Sequence, residues 1–160
     1  MASASIDAAR FREVLGHFAS GVTVVTASGE DPVGFTCQAF AALSLDPAMV
    51  LLAPGKNSTS WPKIAEAGSF CVNILAADQE ALARSFAISG GDKFTGVAWE
   101  HGPATGAPLL EGVVAWVECE LEQIFDAGDH ELVTGGVLAL GVGTGRPLLF
   151  YRGGFGTFRA

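Results

Sequence analysis

The sequence predicts a mainly β chain: an antiparallel β-barrel of six or more strands with two or three short helices. Three observations carry this. Runs of β-branched and alternating residues recur along the chain, divided by turn signals such as Asp46-Pro47 and Gly145-Arg146-Pro147. Helical spacing is confined to a few short segments. Glycine accounts for 21 of 160 residues, which suits the corners and bulges of a sheet that curls on itself. With no internal repeat and no linker, residues 1–160 read as one domain, long enough for a real core.

The elements follow in order. Phe11, Val14, Leu15 and Phe18 keep i, i+3, i+4, i+7 spacing and predict a helix over 6–18. Gly21 opens the strand GVTVVTA, 21–27, and the turn Ser28-Gly29-Glu30-Asp31-Pro32 makes a hairpin into GFTCQAFAALSLDP, read as one long strand over 34–45. MVLLAP, 49–54, is a strand, and GKNSTSWPKIAEAG is a polar loop leading into a short helix that stops at Gly68. SFCVNIL, 69–75, is a strand, followed by a helix capped by Asp78 that runs to about Ala87. Residues 89–112, rich in Gly and Pro, read as a long irregular connection with room for one short helix. In 113–125, Val117, Cys119 and Leu121 alternate with Glu118, Glu120 and Glu122, one face core and the other wet. After the turn at Asp129-His130, ELVTGGVLALGVG returns as a strand whose paired glycines predict a bulge or a close backbone approach. LLFYRGGFGTF ends the chain as a further β segment.

Composition excludes several function classes. A net charge of −8 with only nine Lys and Arg argues against a nucleic-acid surface. The mean hydropathy of +0.39 is high, yet no apolar run approaches the ~20 residues of a membrane span, so the excess apolar surface points to a homodimer interface. MASASIDAARFREV has neither a basic region nor an apolar stretch of signal-peptide type, and Cys37, Cys71 and Cys119 are odd in number and lie in strand-like runs. A reduced, cytoplasmic setting follows as the expectation.

The motifs are mostly negative. Gly55-Lys56-Asn57 fails as a P-loop, because Val50 stands where a Gly is needed and Asn57 where a hydroxyl is needed. Gly141, Gly143 and Gly145 are misspaced for a dinucleotide fingerprint. Three separated histidines and no Cys cluster do not form a zinc pattern. His17 and His101 read as structural or solvated, while His130 in its Gly-Asp-His turn is either a ligand donor or a turn histidine held by Asp129. Lys56-Asn57-Ser58-Thr59-Ser60 offers donors for a phosphate, although on spacing alone ordinary capping by Ser58 or Ser60 is the commoner use. Four basic residues, Lys56, Lys63, Arg84 and Lys93, fall in the middle third of this acidic chain. The strand over 34–45 carries a small, half-polar face of Thr36, Gln38 and Ser44 that suits neither a core nor free solvent. With no evident acid, base or nucleophile, the chain either binds a ligand or leaves the chemistry to a cofactor.

The order of GVTVVTA, GFTCQAFAALSLDP, KNSTSWPKI, GSFCVNIL, LARSFA, DKFTGVAW, GDHELVTGGV and PLLFYRGGFG resembles the short-chain NAD(P)H:flavin oxidoreductases, the reductase components of two-component flavin-dependent monooxygenases. The resemblance runs from about Phe11 to Phe158. It implies a Greek-key, FMN-binding split β-barrel that works as a homodimer and uses NADH or NADPH to reduce FAD or FMN; the lack of a clear Arg pair for a 2′-phosphate favours NADH over NADPH. The reduced flavin would then diffuse to a separate monooxygenase. It further implies that the flavin ring lies on Phe35, Thr36, Cys37 and Gln38, with Ser44 on the same face. Ala53, Phe86 and Tyr151 would line the flavin, Lys56, Asn57, Ser58 and Thr59 would take the phosphate, and His130 would position the nicotinamide without being an essential base. The chain has Gln38-Ala39 where many members have a second hydroxyl residue. A non-reducing flavin- or haem-binding module and a pyridoxal-phosphate oxidase-like enzyme on the same barrel are the competing readings.

Overall fold

β-branched and small apolar residues dominate the first strands, and these become the most deeply buried part of the chain. The fold was obtained as a computed structural model that describes residues 5–160; the first four residues, and with them the start of the segment read for a signal peptide, lie outside the described residues. Helix α1 (Ala8–Leu15) is followed by β1 (Ser20–Gly21), β2 (Thr23–Ala27), β3 (Val33–Cys37), β4 (Phe40–Leu45) and β5 (Ala48–Leu52). Next come α2 (Trp61–Ala67), β6 (Ser69–Ile74), α3 (Glu80–Phe86) and the short pair β7 (Trp99–His101) and β8 (Pro108–Leu110). The long strands β9 (Ala115–Ala127) and β10 (His130–Val142) form a hairpin, and β11 (Leu148–Tyr151) and β12 (Gly154–Thr157) complete the chain. Over the described residues the chain is therefore mainly β with three short helices, as its patterning predicts.

Seven strands form one antiparallel sheet in the order β3-β2-β6-β9-β10-β5-β4. Its two outermost strands are consecutive in sequence, joined only by Gln38 and Ala39. A flat sheet of seven strands would hold its edges about 29 Å apart, whereas the step from Cys37 to Phe40 spans at most about 11 Å. The sheet must curl to bring its ends to this corner. No β3–β4 ladder closes it among the described residues.

The stretch 34–45 is thus two strands, not one. At the corner the Phe40 amide donates to Gln38 O at 2.9 Å and the Ala53 amide donates to Ala39 O at 2.9 Å, which turns the chain out of β3. The alternation does not survive the turn: Phe35 and Cys37 are buried, but Leu43 and Leu45 are exposed.

One core cluster gathers Val25, Phe35, Leu52, Trp61, Ile64 and Phe70, and a second gathers Val22, Val24, Leu75, Phe86, Leu110 and Leu148. The paired glycines of β10 act as expected. The ladder with β9 shifts register between Thr134 and Gly135, and a Cβ on Gly135 would stand 2.8 Å from Phe70 Cζ and 3.0 Å from Cys119 Cβ. At α3 the cap is Gln79 instead of Asp78, and its side chain accepts from the Ala76 amide at 2.8 Å. The irregular span 89–112 contains the β7–β8 pair and, among the described residues, no helix.

The three glutamates of β9 do not share one environment. Glu120 and Glu122 are exposed, but Glu118 is fully buried beneath residues 102–107. Its carboxylate accepts from the amides of Ala104 and Thr105, both at 2.9 Å, and from Thr105 Oγ1 at 2.6 Å. Three donors around one buried carboxylate replace the water that alternation alone would supply. Glu118→Ala is expected to cost about 2–4 kcal/mol in urea denaturation by orphaning those donors, and Glu120→Ala less than ~0.5 kcal/mol.

Candidate functional site

A cavity of about 470 Å³ opens at the corner where the sheet turns. Strand β3 and the link after it supply Phe35 through Ala39, the exit of β5 supplies Ala53 to Gly55, and the loop into α2 supplies Asn57 to Ser60. The end of α3 adds Phe86 to Ser89, and His130 enters from the first position of β10.

The walls are rigid for identifiable reasons. The Phe35 ring meets Trp61 edge to face at 6.4 Å, and Phe86 meets Phe94 in the same way at 5.1 Å. Gly34 lets β3 pass α3, since a Cβ there would stand 3.0 Å from Phe86 Cε1. Thr36 Oγ1 donates to Ala83 O at 2.6 Å, tying the strand to the helix. Part of the half-polar face is therefore spent on packing α3. Gln38 is exposed at the cavity rim.

In the loop, Ser58 Oγ accepts from the Trp61 amide at 3.1 Å, the capping role that spacing favours. Asn57, Ser58, Thr59 and Ser60 all line the cavity. A Cβ on Gly55 would stand 2.9 Å from Asn57 Oδ1, so a side chain there would push the Asn57 amide aside. Lys56 is outside the lining; its ammonium is paired with Asp126 and its amide donates to Asp129 O at 2.9 Å.

His130 Nδ1 lies 2.7 Å from Asp129 Oδ1. The hydrogen bond from His130, followed by the charge of that ring, holds the Asp129 carboxyl below the usual carboxylate range. An ionised carboxylate only accepts, so Nδ1 carries a proton and Nε2 is left on the side of Gly55, 3.8 Å from where its Cβ would be. Asp129 is its partner, as the turn-histidine reading has it, and the residue also lines the cavity.

Ten of the residues named from the sequence thus meet at one cavity: Phe35, Thr36, Cys37, Gln38, Ala53, Asn57, Ser58, Thr59, Phe86 and His130. Three do not. Lys56 is engaged by Asp126, Ser44 lies along β4 opposite Met49, and Tyr151 is half-exposed at the end of β11 with its ring edge-on to His17. His17 and His101 are outside as well; their Nδ1 atoms bond Glu13 O at 2.8 Å and Gly106 O at 3.0 Å. Of the four basic residues noted in the middle third, Lys93 alone lines this cavity. The available signal was its scarcity, for the whole chain has only three lysines.

The lining combines apolar side chains (Phe35, Ala53, Phe86) with an amide and hydroxyls (Asn57, Ser58, Thr59, Ser60). That donor set fits the flavin that the resemblance implies, a planar ring with a polar edge and a phosphate tail.

Residues 15–159 match the family described as flavin reductase-like domain. The reductase subunit HsaB of a flavin-dependent monooxygenase from Rhodococcus jostii is 47% identical, over 96% of this chain and 79% of the relative. An FMN reductase (NADH), SmoA, from Agrobacterium fabrum is 42% identical, over 92% of this chain and 84% of the relative. The crystallised NADH:FAD oxidoreductase of Streptomyces globisporus, in complex with NAD and FAD fragments, superimposes with a TM-score of 0.91 at 36% identity, covering 98% of both chains.

All three thiols are buried, and burial pushes the Cys37 thiol, which lines the cavity, up to about 11 and Cys119 up to about 12, with Cys71 raised further. The thiolate is the nucleophile, so iodoacetamide at pH 8 is expected to leave the native protein unlabelled and to label all three cysteines once urea unfolds it.

Proposed function

The chain belongs to the flavin reductase-like domain family, and from that premise we propose that it carries hydride from NADH to FAD or FMN and releases the reduced flavin, which diffuses to a separate flavin-dependent monooxygenase. The observation that carries this reading is the cavity itself: a lining of apolar side chains, a run of hydroxyls and a single histidine, without a paired acid and base or an activated nucleophile. The bound flavin supplies the redox chemistry, and the protein supplies binding and orientation.

The roles divide accordingly. Phe35, Ala53 and Phe86 flank the ring, Cys37 fills the space beneath it as a neutral thiol, and Thr36 and Gln38 meet its polar edge. Asn57, Ser58 and Thr59 take the phosphate, while Lys56, held by Asp126, contributes charge from outside the lining. His130, fixed through Nδ1 by Asp129, offers Nε2 to the nicotinamide amide or phosphate. The cavity is lined by no arginine, which favours NADH over a 2′-phosphorylated dinucleotide and removes support for the pyridoxal-phosphate oxidase-like reading.

We take the curled sheet to be the split barrel of this family, with residues 1–160 forming one domain. A homodimer is supported by the exposure of Phe11, Phe18, Leu45, Leu140 and Val142. No helix of the described residues is long and apolar enough to cross a membrane. Three free, buried cysteines suit a reducing, cytoplasmic setting.

The test is the loss of NADH absorbance with purified protein and added FAD or FMN. Oxidation that depends on free flavin is expected; flavin binding without oxidation would leave a non-reducing binding module. In the same assay His130→Ala is expected to raise the KM for NADH roughly tenfold while kcat stays within about tenfold. A loss of ~10⁴ in kcat at saturating NADH would instead make His130 a proton-transfer group.

A further inference from the structure

Strand β10 begins with two polar residues, and only the first has a role so far. His130 lines the cavity; Glu131, the next residue, does not. Period-two alternation puts Glu131 on the face of Val133, which is fully buried in the first core cluster, and opposite to the exposed Leu132. A carboxylate therefore stands on the core side at the end of the sheet, half-buried and without an ion-pair partner among the described residues. The indole of Trp61 meets it: Nε1 donates to Glu131 Oε2 at 2.6 Å. We propose that Glu131 is a positioning residue for the flavin, acting through Trp61; the inference rests on the flavin reductase reading.

Trp61 is buried and, like Glu131, stands outside the cavity lining, but it touches that lining twice. Its ring meets the Phe35 ring edge to face at 6.4 Å, and Phe35 lines the cavity. Its backbone opens α2 directly after the lining residues 57–60, and its amide donates to Ser58 Oγ at 3.1 Å. One residue thus braces an apolar wall and closes the hydroxyl-bearing loop. The bond to Ser58 holds the backbone of Trp61. The bond to Glu131 fixes the turn of its ring, because an indole has a single donor on one edge and that donor must meet an acceptor when buried.

Stability alone does not account for the pair. An apolar side chain at 131 would continue the core face of β10 at lower desolvation cost, and replacing a buried ionic group by a packed apolar one is commonly neutral or stabilising. What an apolar residue lacks is direction. A carboxylate accepting from the indole selects one orientation of Trp61, and with it one of Phe35, as groups behind a site hold the groups that line it. The carboxylate is itself carried on a fixed backbone, since the Glu131 amide donates to Pro54 O at 3.0 Å and the Lys56 amide to Asp129 O at 2.9 Å.

The test is fluorescence titration of flavin into Glu131→Ala and Glu131→Gln, each alone and in a Trp61→Phe background. Glu131 belongs to neither core cluster, so its truncation leaves both whole. Glu131→Ala is expected to raise the Kd of oxidised FMN and of FAD roughly tenfold, the size of one lost charge-assisted hydrogen bond. Glu131→Gln still offers a carbonyl oxygen to the indole and is expected to stay within about threefold of the wild type. In the Trp61→Phe background, where no N–H remains, Glu131→Ala is expected to change the Kd by less than about twofold. The indole N–H resonance of Trp61, one of three tryptophans, is expected to move in Glu131→Ala and to stay in Glu131→Gln. The KM for NADH at saturating flavin is expected to hold within about twofold throughout, because Asp129 fixes His130 separately. An unchanged flavin Kd in Glu131→Ala would overturn the proposal, as would a Gln variant as weak as the Ala variant or an undiminished loss in the Trp61→Phe background. A KM for NADH that rises in step with the flavin Kd would do the same, since Glu131 would then support the hairpin tip as a whole. Flavin titration needs no turnover, so failure of the reductase reading, seen as flavin binding without NADH oxidation, is distinguishable from failure of this inference.

Discussion

Gln38 and Ala39 join the two ends of a seven-stranded sheet, and this connection sets the geometry of everything else. Because β3 and β4 occupy opposite edges and are separated by two residues, the sheet cannot lie flat. The curl leaves a gap at the corner where β3 ends and β5 exits, since the backbone there turns to bond Ala39 O and Gln38 O instead of continuing a ladder. The cavity forms at that gap. Its walls are therefore residues fixed by strand register on one side and by helix packing on the other, the preferred setting for groups that must hold a ligand within a fraction of an ångström.

Hydride transfer between two bound rings asks for positioning more than for acid–base work, and the structure is built accordingly. The hairpin of β9 and β10 is stitched to the loop before α2 along its whole tip. The Lys56 amide donates to Asp129 O, the Glu131 amide to Pro54 O at 3.0 Å, and Trp61 Nε1 to a Glu131 carboxylate oxygen at 2.6 Å. His130, assigned to the nicotinamide, and Asn57 to Thr59, assigned to the flavin phosphate, are thereby held in one bonded frame. An error in one would be transmitted to the other, which explains why so many hydrogen bonds are concentrated around so few residues.

Much of the fold was legible because period-2 patterning and turn residues are local signals: β2, β6 and the β9–β10 hairpin all follow from them. What was not legible depended on contacts distant in sequence. Alternation placed Glu118 with Glu120 and Glu122, but residues 102–107 fold over that position and supply its donors. The stretch 34–45 alternates without interruption, yet the Ala53 amide takes Ala39 O and divides it. At the site, Thr36, Gln38 and the Asn57–Thr59 loop stand out because their composition is unusual for their element, whereas Phe35 and Cys37 are named only through the family resemblance. Lys56 could be named but not placed, for its partner Asp126 is 70 residues away.

The exposed apolar surface and the site occupy the same hairpin. Phe125 and Leu132 face each other across the ladder and are both exposed, and Leu132 lies two residues from His130 on the same side of β10. Any surface that covers this pair therefore reaches the mouth of the cavity. In a small acidic chain whose α1 buries none of its own residues, apolar area at that place is costly unless something covers it. A second copy covering it would exclude water beside the rings while leaving the far side of the cavity open for a ligand that must arrive oxidised and depart reduced. Interface and site then answer to one requirement, a dry place for transfer joined to an open way out.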